Sequence, residues 1–518
     1  MGGGVAGLSA AHELVRTGLY NIQILEQEGV CGGKARSIRV ADGNPIEHSM
    51  RIFPPSYENL FLLMKEIPCE SITTYDNLRY GTFRINFAER EVALQFKYDG
   101  FFSHMYKAAR LYWFFFISGV TFYELVYFTV KVGRLLWLTE EEVNNKLEPI
   151  SFENYLGGND RSLAFQNLIL RLPEMFVAAK RRSIAAVVTR VLLEFFVGPF
   201  LRGKHGRLGI ASLNGPTSEQ FIEPWVKHLR DQGVSFGQCR CVESLVESAR
   251  RIIGVKTVDG ETYSADIVIL ALPGNILRAL LGDLIDRYAG LEELDDLGEE
   301  WANGVQFALK YIPDEWKQYV GCTTVAADSP WSLDFIIYSR ETWPGIPLPD
   351  NTAGILSISA SNSINPGLTI RRPFNRCNKD DLLDEMLVQT TLPAHPDAIS
   401  GRYISPDLKY ISSEDFLAKQ QAYDGYGVRS IGHGNQVLVS DCLLYVRVPG
   451  NAAIEPDNRT EIDNLYIAGE FTQTLSKMPS MEKSCESGMR CAQAILFDDG
   501  QTYDSSRVGA AQLPLAAR

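Results

Sequence analysis

The sequence predicts an α/β protein with α+β insertions, and three observations predict it. A glycine-rich turn, Gly2-x-Gly4-x-x-Gly7, runs straight into the helical pattern LSAAHELVRTG. A short apolar strand, NIQILEQ, follows and ends in an acid, Glu26. Two further buried strands, DIVILALP and NLYIAGE, appear only hundreds of residues later, so the sheet is expected to be assembled from discontinuous segments. At 518 residues the chain is long enough for two domains or three, each with a core of its own.

The turn comes first in the chain and has a physical rationale. Its glycines permit a tight bend, a close backbone approach to a pyrophosphate and tight helix–sheet packing. The helix that follows, with Leu8, Ala11 and Leu14 on its inner face and Gly18 closing it, offers the unpaired N–H groups of Gly4, Val5, Ala6 and Gly7 to an anion. Glu26 stands nineteen residues after Gly7, where an acid receives ribose hydroxyls, and Gln27 follows it. Turn, helix, strand and terminal acid in that order read as a Rossmann-like dinucleotide site. Such a turn ordinarily follows a buried strand of about five residues. Only Met1 precedes it in this numbering. The expectation is therefore that the start lies upstream of the given numbering, that the chain was trimmed, or that another segment fills the slot. If residue 1 is the start, weaker flavin retention and a less stable sheet are expected.

The next motifs narrow the class. QEGVCGGKARS, with Gly32, Gly33, Lys34 and Arg36, resembles the G-G-[RK]-x-x-S element of the flavin amine oxidase and phytoene desaturase superfamily. PIEHSMRIFPPSYENL resembles the E-H-G-x-R-x-F-P segment of its phytoene-desaturase-like and hydroxysqualene-dehydroxylase-like branch, with Ser49 where glycine is usual. LYIAGE and SMEKSCESGMRCAQAI are similar to the superfamily's G-[DE] strand end and its S-M-E helix, and the likeness runs to about residue 498. The resemblance implies FAD as cofactor. Gly33, Lys34 and Arg36 would pass its pyrophosphate, and Val242 would clasp the adenine by its backbone. Pro273 would end the returning strand, and Gly469 with Glu470 would meet the pyrophosphate and ribitol. Met481 and Glu482 open the helix aimed at the flavin, and Met50 and Arg51 run beside the ring. His48 and Arg51 are the catalytic candidates this implies; the competing reading of His48 is a structural residue bonded to backbone carbonyls.

Organisation follows from where those motifs fall. Residues 1–60, 209–290 and 455–498 are expected to form the FAD-binding domain, and 61–208 with 291–454 an inserted substrate domain of mixed sheet and helix. GVQFALKYI and GILSISAS read as strands, and SIAAVVTRVLLEFFVGPF as helix. Within the first insertion, LYWFFFISGVTFYELVYFTVKVGRLLWL (111–138) is the most lipophilic stretch, interrupted by Glu124, Lys131 and Arg134. With Lys107 and Arg110 before it, the region 101–138 reads as helix lying in a membrane interface or at a pocket mouth. A buried helix pair and a true span are the alternatives. The tail, 499–518, has no apolar period and is expected to be disordered.

Composition sets the exclusions. A net charge of −13 with no basic block argues against nucleic acid. Nine scattered cysteines, with only Cys239 and Cys241 close together, suggest reduced thiols and no metal site. Gly residues, His12 and Glu13 break the apolar start, so no signal peptide is read, and the expected location is cytoplasmic with peripheral membrane contact. Flavin supplies redox chemistry while the protein positions and desolvates the substrate. The leading reading is a desaturase or dehydrogenase of a lipophilic isoprenoid- or polyene-like substrate, passing hydride to flavin N5, with quinone or oxygen as re-oxidant. The alternatives are an amine oxidase acting on a C–N bond, flavin turning over no net electrons, and a scaffold flavoprotein. Asp334, Arg340, Arg447 and His433 fall in segments that would reach the pocket, Lys477 is a candidate for touching substrate, and Tyr445 is the nearest aromatic upstream of LYIAGE.

Overall fold

The computed structural model describes residues 1–518 apart from 96–99, 135–137, 178–209, 289–290, 292–293, 295, 419–435, 441–442, 452–453 and 509–518. In chain order, the elements that position the site begin with α1 (Val5–Val15), β1 (Gln23–Leu25), α2 (Glu58–Glu66), β2 (Thr82–Phe87) and β3 (Arg90–Leu94). Helices α3 (Phe101–Ile117) and α4 (Phe122–Arg134) follow, then β4 (Ser235–Gly237) and β5 (Val268–Leu270). Strands β6 (Asn303–Leu309), β7 (Cys322–Ala326), β8 (Leu333–Ser339), β9 (Gly354–Ala360) and β10 (Ile399–Ile404) come next, and β11 (Leu465–Ile467) and α5 (Met481–Asp498) close the series.

The nucleotide half is built from two parallel pairs, β1 with β4 and β5 with β11. Met1 and Gly2 bridge them. The Met1 amino group donates to the Ile269 carbonyl at 2.7 Å, Ala271 N–H donates to Met1 O, and Gly2 N–H donates to Leu25 O. Met1 and Gly2 thus lie in the slot beside these strands that the sequence reading left open. On α1 the expected inner face is correct: Leu8, Ala11 and Leu14 are all buried. α5 lies so close to α1 that a Cβ on Gly488 would run into the Ala6 carbonyl oxygen. An antiparallel meander, Val242 to Ser264, flanks this half.

The substrate half holds a seven-stranded sheet in the order β10-β6-β9-β8-β7-β2-β3, antiparallel except for the parallel pair β7–β2. Strands from both insertions therefore share one sheet. The expected strands GVQFALKYI and GILSISAS are its β6 and β9. Period-two alternation gives it two faces. Val305, Phe307, Phe335, Ile337, Leu356 and Ile358 pack into an apolar core on one. The opposite face meets residues 47–50: Gly304 N–H donates to His48 O, Gln306 Nε2 to Glu47 O, and Met50 N–H to Ser359 Oγ.

Three expectations are sharpened or corrected. The boundary drawn at residue 60 falls inside α2, whose first amides are held by α5. Within the lipophilic stretch, α3 and α4 form a helical hairpin over 101–134, broken at Ser118–Gly119, where Gly119 takes φ of +101°, so a helix pair is what the described residues show. No described helix is long and apolar enough to cross a membrane. The tail is docked, not disordered, as far as residue 508: Arg507 forms ion pairs with Glu13 and Glu66, and Tyr503 OH donates to Glu13. The helical reading of 183–200 and the candidate His433 lie outside the described residues, as do tail residues 509–518.

Candidate functional site

A cavity is lined by residues of both halves, and each stretch of it is fixed by local chemistry. At one end the turn leaves the sheet. Gly2 takes φ of +88°, and a Cβ there would meet the Ala271 carbonyl. A Cβ on Gly7 would meet the Gly2 carbonyl, so the turn closes only with glycine at both positions. The first turn of α1 then faces the cavity, with Gly4 as its N-cap, no side-chain cap and no acid in it. Gly2, Gly4, Val5 and Ala6 line this end, while Gly7 lies outside the lining and serves packing. Glu26 accepts the Gly3 N–H at 2.7 Å and the Glu28 N–H at 3.0 Å, which pins its carboxylate beside Gln27 and Val242.

Midway, the two glycine loops touch: Gly33 packs on Gly4, and Gly32 N–H donates to Gly3 O. Lys34 forms an ion pair with Glu470 and donates to Leu443 O at 2.9 Å, so two candidates widely separated in sequence meet each other. Gly469 N–H donates to Ser487 Oγ at 2.9 Å, anchoring the β11 end to α5. Pro273, Gly469, Glu470 and Met481 all line the cavity. Glu482 does not. Its carboxylate accepts the N–H groups of Asn59 and Leu60 and the Asn59 amide, each at 2.8 Å, so it caps α2 behind the wall. Burial raises its pKa to about 7 despite those bonds. The sequence placed it beside the cofactor because the motif names neighbours on a helix; the helix turn sends Met481 and Glu482 to different sides.

The other end carries polar atoms with no protein partner among the described residues. His48, 2% exposed, bonds Asp407 Oδ2 through Nδ1 at 2.8 Å, and its Nε2 has no partner. Arg36 donates to Asp407 Oδ1 at 2.9 Å and to the Gly33 carbonyl. Burial pushes the Asp407 carboxyl up, but the bond from His48 and the charges of Arg36 and Arg51 outweigh it and hold its pKa at about 2. Burial lowers that of His48, with Asp407 opposing. Arg51 donates to Lys34 O and Ser49 Oγ, leaving Nε without a partner. Met50 lines the cavity beside them. Asp334 on β8 also lines it, with Oδ1 buried and unpartnered; burial and then Glu174 raise its pKa well above the usual range.

Other candidates are elsewhere. Arg340 donates to the carbonyls of Leu348 and Pro349. Arg447 is buried against Glu148 and Glu455, and Tyr445 OH donates to Glu455. None of these lines the cavity. Asp407 was missed, and no signal could have found it: it sits in SPDLKY, an ordinary turn sequence after β10. Among the described residues no group of His, Cys, Asp and Glu is placed to hold a metal.

The donor set fits FAD. An uncapped helix start, an acid at a strand end and the unpartnered Arg51 Nε together answer a pyrophosphate, a ribose and an electron-rich ring. Comparison with known proteins agrees. The sequence profile of flavin containing amine oxidoreductases matches residues 5–296. Zeta-carotene desaturase of Zea mays is 37% identical over 97% of this chain and 86% of its own, and 15-cis-phytoene desaturase of Synechococcus elongatus is 24% identical over 100% and 98%. Among solved structures, a putrescine oxidase variant superposes with a TM-score of 0.61 at 14% identity, covering 96% of this chain and 97% of its own. Cyclohexylamine oxidase from Brevibacterium oxydans gives 0.57 at 13%, covering 96% and 98%. These likenesses show a shared fold. The chain belongs to the flavin containing amine oxidoreductase family, and FAD is its cofactor.

Proposed function

We propose that this enzyme desaturates a lipophilic, isoprenoid- or polyene-like substrate. When bound, FAD supplies the hydride acceptor. Gly2, Gly4, Val5, Ala6, Glu26, Gln27 and Val242 would hold its nucleotide end, and Gly33, Lys34, Arg36, Pro273, Gly469 and Glu470 the middle. Met50, Arg51 and Met481 would stand near the ring. The cavity is also lined by Pro54, Tyr57 and Met478, apolar surface suited to excluding water from a hydrocarbon chain. The relatives named as phytoene and zeta-carotene desaturases, matched along nearly the whole chain, point the same way.

One observation carries the reading furthest. The α3–α4 hairpin buries Phe114, Phe115, Leu125 and Phe128 and turns other large side chains outward: Phe102 is 86% exposed, Trp113 61%, Phe122 72% and Tyr123 70%. With Arg110 and Lys131 on the same hairpin, this surface suits a lipid headgroup boundary, from which a water-insoluble substrate would be taken. Quinone or oxygen would reoxidise the flavin.

A second reading, oxidation of an amine, is favoured by Asp334, a buried cavity carboxyl held in its neutral form that would hydrogen-bond the nitrogen of a neutral amine. The two are separated by anaerobic bleaching of the flavin. Phytoene or zeta-carotene in liposomes is expected to bleach it, and an amine panel is not. Bleaching by amines alone would reverse the order.

A further inference from the structure

Loss of two hydrogens has two halves, and the flavin accounts for only one. One C–H bond leaves with its electron pair as hydride. The neighbouring C–H bond must then break heterolytically, its electron pair becoming the second bond of the new C=C and its proton going to a base. The desaturase reading therefore requires a proton acceptor at the far end of the cavity, and the inference rests on that reading.

We propose that His48 Nε2 is this proton acceptor and that Asp407 is the residue that positions it. The geometry determines which nitrogen is free. Asp407 is a carboxylate, since Arg36 and His48 both hold it ionised, and a carboxylate only accepts. The hydrogen of the neutral imidazole therefore sits on Nδ1, donated to Asp407 Oδ2 at 2.8 Å. That leaves a lone pair on Nε2, buried, with no protein hydrogen-bond partner, on a side chain that lines the cavity. A buried acceptor in that state is costly to the fold, which marks it as a group kept for a ligand or a reaction. Burial, with Arg51 and Lys34 adding to it, keeps the ring neutral near pH 7, the state that can accept a proton. Once Nε2 is protonated, the imidazolium stands directly on the Asp407 carboxylate, which stabilises it, and its proton passes to water as the product leaves. Asp407 belongs to the second insertion and His48 to the first cofactor segment, 359 positions apart, so the pair forms only when the substrate sheet is docked.

The charged groups that face His48 are Asp407 and Arg36 on one side, Arg51 and Lys34 on the other, with Glu47 next to it in the chain. The test uses the FAD-loaded protein, with 15-cis-phytoene or zeta-carotene in phosphatidylcholine liposomes, and follows anaerobic flavin bleaching against pH. His48→Gln is expected to keep its flavin spectrum and to bleach about 10²- to 10³-fold more slowly. Asp407→Asn is expected to bleach about tenfold more slowly, and its acid limb to move to lower pH, because the group that raises the imidazole pKa is gone. Asp407→Glu is expected to recover part of the rate, which guards against a variant that merely packs badly. An independent readout needs no substrate: ¹⁵N-histidine NMR should show one ring protonated at Nδ1 and bare at Nε2, with signals absent in His48→Gln. Bleaching of His48→Gln within about threefold of the parent, or a proton on Nε2 in the resting protein, overturns the assignment. A parent protein bleached by neither polyene fails the desaturase reading and the assignment with it, and the tautomer measurement tells that case from a misplaced proton.

Discussion

The nucleotide half and the substrate half of this molecule solve different problems. In the nucleotide half, backbone decides: Gly2, Gly7 and Gly488 sit where no side chain fits, and Glu26, Lys34 and Glu470 each already hold a protein partner. In the substrate half, side chains decide: Asp334 brings a buried, unpartnered oxygen to the cavity, the α3–α4 hairpin leaves aromatic rings uncovered, and where this half meets the cofactor segment His48 keeps an unpartnered nitrogen. The contrast teaches that the glycine turn and its flanking ion pair are set by forced geometry and satisfied groups, whereas the far end of the cavity and the hairpin surface are built from groups the fold leaves unsatisfied.

The sharpest way to break that contrast is to overfill the turn. Gly7→Val would drive a side chain into the Gly2 carbonyl, and a loss of about 3 kcal/mol with nearly complete loss of bound flavin is expected, read from the visible spectrum and thermal melting. Arg507→Ala attacks the same half from behind. It strips the Arg507 side chain, itself 11% exposed, from Glu13 and Glu66. Glu13, buried on α1, is left with only Tyr503 OH and the more distant Arg16, and a cost of about 1–2 kcal/mol is expected in urea unfolding. A cost below about 0.5 kcal/mol would mean that the docked tail does nothing for the turn.

Asp407 lies where the halves meet, and its effect depends on pH. Its folded pKa of about 2 lies below the usual value near 3.9, so its stabilisation is fully present above pH 4 and is lost as pH falls through 2. The shift corresponds to about 2 kcal/mol. Urea melts of the parent and of Asp407→Asn should therefore differ at pH 6 and converge in acid, and a gap that persists at pH 2 would refute the account. The smallest stability effect is expected at the hairpin. Trp113→Ser with Phe122→Ser should change unfolding by about 0.5 kcal/mol or less, yet reduce liposome binding at least about tenfold. Unchanged flotation with liposomes would remove the membrane face from the proposal.

Much of the nucleotide half was legible because its signals are local. Glycine spacing, a helix start and a strand-end acid are read within thirty residues, and each has one physical purpose. The same locality explains the Glu482 error: neighbours in a motif were taken as neighbours in space, but consecutive helix residues point about 100° apart. The tail was misread for the opposite reason. It has no apolar period, yet one arginine and one tyrosine hold it through charge and hydrogen bonds that no periodicity shows.

By itself, then, the sequence determined the cofactor turn, the acid at the end of β1, the β11–α5 closure and the helical, lipophilic character of the first insertion, since each rests on contacts between residues close in the chain. Only the tertiary structure decided that two insertions share one sheet, that Met1 and Gly2 bridge the nucleotide strands, and that Asp407 meets His48. Those pairings cost chain entropy before any contact repays it, so they are set by how whole faces pack, and no short pattern of residues carries them.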